Sequence, residues 1–293
     1  MGRWLMVSIA RARAGEPSFA VRFTTDRRLL RHFLERDRLL AAYAVCDLDD
    51  HEFSRTRWGV AYDGLEPRSL VLEYAGLAPQ PVFTMGEPAG VEAVLRNLIR
   101  PRVAYMSMPY DVVPAVDRVY RVDPGPEMIR MAVDRETFRP QPGLSARLVP
   151  GEIGDLNRLY DLGFTAWLPA SAIAEGVYYG VRVHGRLVAA AGTHVVSREA
   201  RIAVVGNVLT HRDFRGRGFA KVTTSAVTQE LLRFCDDVVL NVRADNTPAV
   251  AAYRTLGYRE HCRFAERLVH RRASTLDGIM GPIRRLFPVR KDG

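Results

Sequence analysis

The sequence predicts a mixed α/β protein, of the α+β type, with two domains. Its 293 residues are about twice the length of a typical domain. With 47% hydrophobic and 26% charged residues, the chain can bury a core, which excludes a disordered or fibrous protein. In its second half, antiparallel strand-like runs precede a strand, a helix and another strand, the order of a parallel crossover.

A break at residues 137–143 divides the chain. The segment T-F-R-P-Q-P-G places two prolines and a glycine between strand-like stretches. We therefore expect an N-terminal domain at 1–140, a C-terminal domain at 141–270 and a basic, amphipathic tail at 271–293. The tail could suit a membrane surface, but its arginines continue the bias of the whole chain. We prefer a helix docked on the protein or on a second subunit.

Hydrophobic periodicity gives the elements of the first half in order. They are a helix over 28–40, a strand or buried helix end over 39–48, strands over 58–62 and 70–75, a helix over 89–99 and a strand over 102–108.

The second half begins with strands over 177–183 and 186–196. The dipeptide His184-Gly185 between them is typical of a tight hairpin, so we expect antiparallel neighbours. The next elements are a strand over 202–210, a helix over 218–234, a strand over 237–242, a helix over 247–256 and a strand over 258–269.

Composition limits the classes of function. The net charge is +9, but 40 of the 42 basic residues are arginine, so the excess reflects a general bias more than a nucleic-acid footprint. Three scattered cysteines form no C-x-x-C pair, and no histidines have ligand spacing. We expect a cytoplasmic protein without a metal, a membrane span or an export signal.

A glycine-rich turn follows the strand over 202–210 and opens the next helix. In Arg215-Gly216-Arg217-Gly218-Phe219-Ala220, several backbone N–H groups should converge at the positive end of a helix. Glycine lets the backbone approach an anion that a Cβ atom would keep away. The turn therefore predicts a pyrophosphate site, although a tight connection without a ligand is the alternative.

A second motif opens the helix over 247–256. Asn246 is a suitable N-cap, and Pro248 is tolerated in the first turn. Asn246, Ala249 and Tyr253 are spaced to share one helix face, along which a ligand could lie. The alternative is that Tyr253 is a core aromatic residue with its hydroxyl at the rim.

Together, R-x-x-G-x-A at Arg215, Gly218 and Ala220 and N-x-x-A-x-x-x-Y-x-x-x-G-[FY] from Asn246 resemble the motifs of the GNAT acetyltransferase superfamily. The resemblance covers residues 144–270, and the order and context of the two motifs agree. More narrowly, G-V-Y-Y-G-V-R over 176–182 and the segment from Gly206 resemble the glycine N-acyltransferase-like branch.

The first half resembles a second copy that has lost its site. Its strands, turn, helix and strand follow the same order, but its turn holds Glu87 and Pro88 where the later turn has arginines. The resemblance thus implies two tandem GNAT-like domains, each a mixed, mainly antiparallel twisted sheet flanked by helices. The silent half would form a wall of the acceptor cleft.

The resemblance also implies roles for single residues. Main-chain groups of Val208, Leu209 and Thr210 would contact the pantetheine arm and thioester of acetyl-coenzyme A. The pyrophosphate would bind the turn made of Arg215, Gly216, Arg217, Gly218, Phe219, Ala220 and Lys221. Asn246 would contact the same cosubstrate, and Tyr253 would protonate the departing thiolate. A thiol pKa of about 8.5 and a tyrosine pKa of about 10 make that transfer reasonable near neutral pH.

The general base stays open. The strand over 202–210 lacks the glutamate that is common in this family. His194 and His211 are candidates, each with a structural alternative, and a water chain is a third option.

We therefore expect direct transfer of an acetyl group from acetyl-CoA to a primary amine on a small molecule or peptide. No G-x-S-x-G motif suggests a covalent acyl-enzyme. The alternatives are transfer of a larger acyl group to an amino acid such as glycine, and a non-catalytic acyl-CoA-binding module. We expect no nucleic-acid or membrane partner, and the loop over 163–171 and the silent half should select the acceptor.

Overall fold

The computed structural model describes residues 8–9, 19–161 and 168–272. The strands are β1 (Ser8–Ile9), β2 (Ala20–Thr24), β3 (Thr56–Asp63), β4 (Glu66–Tyr74), β5 (Gln80–Gly86), β6 (Val103–Pro109), β7 (Tyr120–Val122), β8 (Glu127–Val133), β9 (Ala146–Arg147), β10 (Tyr179–Val183), β11 (Arg186–Ser197), β12 (Ile202–Thr210), β13 (Asp237–Arg243) and β14 (Arg259–Arg271). The α-helices are α1 (Arg27–Leu34), α2 (Ala42–Cys46), α3 (Asp50–Phe53), α4 (Pro88–Asn97), α5 (Val113–Asp117), α6 (Ile153–Tyr160), α7 (Ala170–Glu175), α8 (Phe219–Leu231) and α9 (Thr247–Thr255).

One continuous mixed sheet links both halves of the described chain. Its order is β1-β2-β3-β4-β5-β6-β14-β8-β13-β12-β11-β10-β9, with β7 paired to β14. The order is symmetric about its centre, because β3 to β6 correspond to β10 to β13, and β8 corresponds to β14. The predicted mixed, mainly antiparallel sheet flanked by helices is confirmed.

The halves exchange their last strands. Strand β8 precedes the break at 137–143 yet pairs with β13, and β14 pairs with β6. The segment after β8 packs on the C-terminal helices, since Arg139 N donates to Leu256 O (3.0 Å) and Gln141 N donates to Ser225 Oγ (2.8 Å). The two predicted domains therefore share a sheet, and a boundary at 140–141 remains a prediction.

Two local predictions in the second half are confirmed. His184 and Gly185 have φ of 49° and 79°, the left-handed values of a type I′ turn, and they join antiparallel β10 and β11. Strands β12 and β13 are parallel and are connected through α8.

The helix expected over 28–40 is shorter in the structure. Helix α1 ends at Leu34, and a 3₁₀ turn, Glu35–Asp37, follows. The Asp37 carboxylate accepts a hydrogen bond from Leu40 N (3.0 Å), a local side-chain contact that competes with helix continuation. The chain then starts α2, so of the two forms expected over 39–48 the helix is the one observed.

Helix α2 places the N-terminal half on the C-terminal strands. Its Cys46 thiol donates to Ile202 O of β12 (3.8 Å), and a buried apolar cluster joins Leu30 and Phe33 of α1 to Val204 and Val239. A separate cluster lies on the opposite face of the sheet, beneath α8 and α9. The two faces around β12 are therefore covered by different halves of the molecule.

Within the described ranges, no helix is long and apolar enough to cross a membrane. The same residues contain no group of three or more His, Cys, Asp and Glu side chains suited to a metal ion.

Burial raises the pKa of the Cys235 and Cys262 thiols to about 11 and that of Cys46 as well, so these thiols stay protonated at neutral pH. Positions 163–167 of the expected acceptor loop and 273–293 of the expected tail lie outside the described residues.

Candidate functional site

Strands β12 and β13 separate to form an open wedge in the sheet. Their parallel pairing begins at Ile202 and ends at Val205 with Leu240, whereas β12 continues to pair with β11 as far as Thr210. The backbone of residues 206–210 therefore has no strand partner on the side of β13. Val208, Leu209 and Thr210, predicted to bind the pantetheine arm, form this free edge.

A bulge at Asn207 causes the separation. Gly206 pairs with Gly192 and Leu209 with Ala190, so β12 holds one residue more than β11 in this interval. Asn207 has φ of 52°, a left-handed backbone conformation that changes the direction of the strand. The sequence analysis did not identify Asn207; a lone Gly-Asn pair within an apolar strand is the available signal.

The turn after β12 leaves the start of α8 open. Gly216 and Gly218 have φ of 78° and 80°, which favours glycine at both positions. No atom outside the adjoining residues lies within 4 Å of a Cβ built on Gly216, and only Lys221 Cε, at 4.0 Å, approaches one built on Gly218. The space in front of this backbone is therefore free.

The first amides of α8 have no capping side chain. Gly218 is the N-cap and contributes none, and the first helical bond runs from Val222 N to Gly218 O (3.2 Å). The N–H groups of Phe219, Ala220 and Lys221 therefore lack an intrahelical acceptor. Arg215 and Arg217 are exposed beside them, and the Arg217 guanidinium lies 5.1 Å from the Phe214 ring centroid. Free amides, a helix dipole and arginines together suit an anion.

The predicted N-cap of α9 is confirmed. Asn246 Oδ1 accepts a hydrogen bond from Ala249 N (3.3 Å), and Pro248 occupies the first turn. This bond uses the amide oxygen of an otherwise exposed side chain. Its NH₂ group is the part left to contact a ligand.

Tyr253 is a residue of α9, which covers the α8–α9 face of the sheet. It is 8% exposed and belongs to one apolar cluster with Val205, Val208 and Leu240, which flank the wedge. Its ring lies 6.0 Å from that of Tyr258, and none of the hydrogen bonds between described residues uses its hydroxyl. Burial raises its pKa to about 12, so the proton is retained at neutral pH.

On the opposite face, His194 is held in a hydrogen-bonded chain whose direction is fixed. The Tyr178 hydroxyl donates to Thr193 O (2.9 Å) and accepts from Asn207 Nδ2 (3.0 Å). Asn207 Oδ1 therefore faces His194 Nε2 (3.2 Å), which must carry the proton. His194 Nδ1 then accepts from the Tyr43 hydroxyl (2.6 Å).

Neither histidine that was expected as a possible base has a free lone pair. Tyr43 already occupies Nδ1 of His194, and burial lowers the pKa of its imidazole. His211 is buried, with Arg186 Nη2 3.0 Å from Nε2 and Asp213 N 3.3 Å from Nδ1. Their positions fit the structural alternatives better than a direct role as base.

Two cavities open on this face, and His194, Val195 and Glu52 line both. The first, which we call the interface cavity, has about 500 Å³ and lies beside Asn207, Tyr178 and α7. The second, the N-terminal cavity, has about 350 Å³ and lies between α2 and strands β4, β5 and β6. An acceptor could reach the wedge through the interface cavity.

The C-terminal half of the chain is similar in sequence to known proteins. Residues 178–268 match the model of the FR47-like protein family. A segment of 58 residues is 43% identical to a mycothiol acetyltransferase of Corynebacterium aurimucosum, a match that covers 18% of this chain and 19% of that protein. The chain thus spans about a fifth of this relative.

Solved structures share the architecture over most of the chain. A GCN5-related N-acetyltransferase from Sphaerobacter thermophilus has a TM-score of 0.56 and 17% identity, covering 87% of this chain and 95% of that one. A tandem GNAT protein from the clavulanic acid biosynthesis pathway has a TM-score of 0.54 and 14% identity, covering 87% and 99%. A Drosophila protein has a TM-score of 0.65 and 16% identity, covering 86% and 98%.

The chain has the fold of the GNAT acetyltransferase superfamily, as the sequence predicts. The FR47-like match falls on β10 to β14, the part that contains the wedge and the open helix start.

Proposed function

We propose that the C-terminal half binds acetyl-CoA in the wedge and transfers its acetyl group directly to a primary amine. The observation that carries this proposal is the open, uncapped start of α8 beside the free edge of β12. One surface there binds an anion, and the adjoining backbone can pair with an extended amide chain. A pyrophosphate joined to a pantetheine arm has both features.

The turn supplies the anion site mainly through its backbone. The amides of Phe219, Ala220 and Lys221 face the space that the two left-handed glycines leave open. Arg215 and Arg217 add charge without an ion pair to any described carboxylate. Val208, Leu209 and Thr210 would pair with the pantetheine amides, and Asn246 Nδ2 would donate to the same arm.

Transfer needs a proton donor for the leaving thiolate. Tyr253 is suited to this role because its hydroxyl is protonated, forms no hydrogen bond with another described residue and is packed with Val205 and Leu240 at the wedge. The amine attacks the thioester carbon, the C–S bond breaks, and Tyr253 gives its proton to sulfur and recovers one through water. Backbone N–H groups of the free edge would stabilise the developing oxyanion.

We assign removal of the amine proton to water in the interface cavity. Both ring nitrogens of His194 and of His211 are engaged, as described above. His194 acts instead as a positioning residue, because its chain to Asn207 fixes the bulge that opens the wedge.

Titration calorimetry with CoA and acetyl-CoA tests this proposal. We expect one site per chain, and a release assay with acetyl-CoA, longer acyl-CoAs and an amine panel should show turnover. The panel includes amino acids and the acceptor of mycothiol acetyltransferase. Absence of CoA binding, or two equivalent sites, would contradict the proposal. Binding without turnover on any amine would favour a regulatory module.

A further inference from the structure

The N-terminal cavity is lined by two buried ionisable groups, one basic and one acidic, whose hydrogen-bonding capacity the described residues do not fill. Arg130 of β8 is 1% exposed, and its Nε has no hydrogen-bond partner. Asp47, directly after α2, is 8% exposed, and none of the hydrogen bonds or ion pairs between described residues involves its carboxyl group. Both side chains line the same cavity.

Arg130 is only partly satisfied by the protein. Its Nη1 donates to Leu39 O (2.8 Å) and Leu40 O (3.1 Å), and its guanidinium lies 5.2 Å from the Phe264 ring centroid. No described carboxylate forms an ion pair with it. Nε has almost no accessible surface, whereas none of the hydrogen bonds between described residues uses Nη2, so Nη2 is the donor left for a ligand carboxylate.

Asp47 lies among other acids. Burial and the neighbouring charges of Glu52 and Asp49 raise its pKa to about 8. Glu52 already accepts from Tyr74 and His51, and Glu266, which also lines the cavity, accepts from Asn241 Nδ2 (3.2 Å), which leaves the Asp47 carboxyl open to a cation. An ammonium group would stabilise its ionised form.

An apolar wall lies in the same cavity as the two charged groups. Leu40, Leu72 and Phe83 line the cavity, whose 350 Å³ suits a small organic molecule. Such a wall would pack on a hydrocarbon chain and exclude water, which strengthens both charge contacts.

We propose that the N-terminal cavity binds a zwitterionic amino acid, with its carboxylate at Arg130, its ammonium group at Asp47 and its hydrocarbon chain on the apolar wall. This site belongs to the half without the open helix start, and it does not depend on acetyl transfer. The FR47-like match begins at residue 178, so it includes His194, Val195 and Glu266 of the cavity wall but neither Arg130 nor Asp47.

The test uses the full chain and a series of amino acids in which the number of carbon atoms between the ammonium group and the carboxylate increases stepwise. The probes are ω-amino acids from β-alanine to 8-aminooctanoate together with L-leucine and L-lysine. For each ω-amino acid, the controls are the alkylamine, the alkanoate and the diamine of equal chain length. We expect the best amino acid to bind roughly tenfold or more tightly than each of its three controls, because each control lacks one charge contact.

Proton release distinguishes the proposed contact from adventitious binding. Free Asp47 is protonated at pH 7, and an ammonium group beside it favours ionisation, so binding should release close to one proton. Affinity should rise up to tenfold per pH unit from 6 to 8 and then level off. The other charged or titratable groups near Asp47 are Glu52, Asp49, Tyr43, Cys46, Tyr74 and His194, and Glu266, which accepts from Tyr105, lies beside Arg130.

Asp47→Asn should remove both the proton release and the advantage of the amino acid over the alkanoate. The amide keeps the shape of the protonated acid, so the fold should persist. Asp63→Asn, at an exposed position in the β3–β4 hairpin, is the matched control and should leave both signals unchanged.

The inference is overturned if no amino acid exceeds its three controls, or if Asp47→Asn still releases a proton on binding. CoA titrations on the same samples keep the two proposals separate. CoA binding without amino acid binding refutes this site alone, and the reverse result refutes only the proposed acetyl transfer.

Discussion

The two halves of the molecule connect a strand to a helix in opposite ways. Only Glu87 lies between β5 and α4, whereas residues 211–218 lie between β12 and α8. In the N-terminal half, a Cβ on Gly86 would lie 2.2 Å from Arg68 O, and Pro88 removes the first helical N–H group. In the C-terminal half the corresponding backbone faces open space.

This difference explains why the proposed anion site lies at the start of α8 and not at the start of α4. The start of α4 is closed by β4, since Glu87 N donates to Arg68 O (3.2 Å) and the Ser69 hydroxyl donates to Glu87 O (2.8 Å). The Glu87 carboxylate would also repel a phosphate. A longer turn with two left-handed glycines is what leaves the start of α8 available.

The largest effect that we expect concerns the tyrosine at the wedge. Tyr253→Phe keeps the aromatic ring and removes the proposed proton donor, so turnover should fall by a factor on the order of 10² to 10⁴, or about 3 to 5 kcal/mol of barrier. Affinity for acetyl-CoA should barely change. Steady-state kinetics with an accepted amine, together with calorimetry, separates the two parameters.

The neighbouring tyrosine is the control. Tyr258 is buried, and its hydroxyl shares a 2.7 Å hydrogen bond with Thr228 Oγ1. Tyr258→Phe should reduce the free energy of unfolding by about 1 kcal/mol and leave turnover of the folded protein nearly normal. Equal turnover in the two variants would refute the acid role of Tyr253.

The second prediction compares the same substitution in two turns, at Gly218 before α8 and at Gly64 in the β3–β4 hairpin. Gly218 and Gly64 both have left-handed φ, of 80° and 60°, and both have open surroundings. Valine at either position should cost roughly 1 to 2 kcal/mol of backbone strain. Only Gly218→Val should also fill the anion site and reduce CoA affinity about 100-fold or more. Similar CoA affinity in the two variants would place the site elsewhere.

The third prediction concerns the buried acid of the N-terminal half. The folded pKa of Asp47 is raised to about 8, above that of the unfolded chain, so its contribution to stability is complete at low pH and is lost as pH rises towards 8. Asp47→Asn removes this loss. The free energy of unfolding of the Asp47→Asn protein, relative to that of wild type, should therefore increase by roughly 1.4 kcal/mol per pH unit between pH 5 and 8. Urea unfolding at several pH values measures this slope, and a flat difference would contradict it.

The smallest effect distinguishes backbone from side-chain binding in the turn. Arg217→Gln should weaken CoA binding only a few-fold, and less at high salt, because the amides carry most of the anion contact. Arg36 lies over the Phe33 ring at 4.4 Å as Arg217 lies over Phe214, so Arg36→Gln is a matched control with no expected effect. A loss as large as that of Gly218→Val would make the side chain the main ligand.

The sequence by itself determined the local elements of the C-terminal half. Periodicity and turn chemistry act over a few residues, so the hairpin at His184-Gly185, the cap at Asn246 and the crossover from β12 to β13 were all predictable. The open turn at Gly216 and Gly218 belongs to the same group, because left-handed glycine is a local property. The fold class followed from these motifs.

Only the tertiary structure decided which strands and side chains meet. The exchange of β8 and β14 depends on pairing between distant segments, and no local signal specifies it. For the same reason Tyr43, remote in sequence, became the partner that occupies His194, and Arg130 and Asp47 came to line one cavity. Burial, which set the pKa values of Tyr253 and Asp47, is a property of the packed molecule and cannot be read from neighbouring residues.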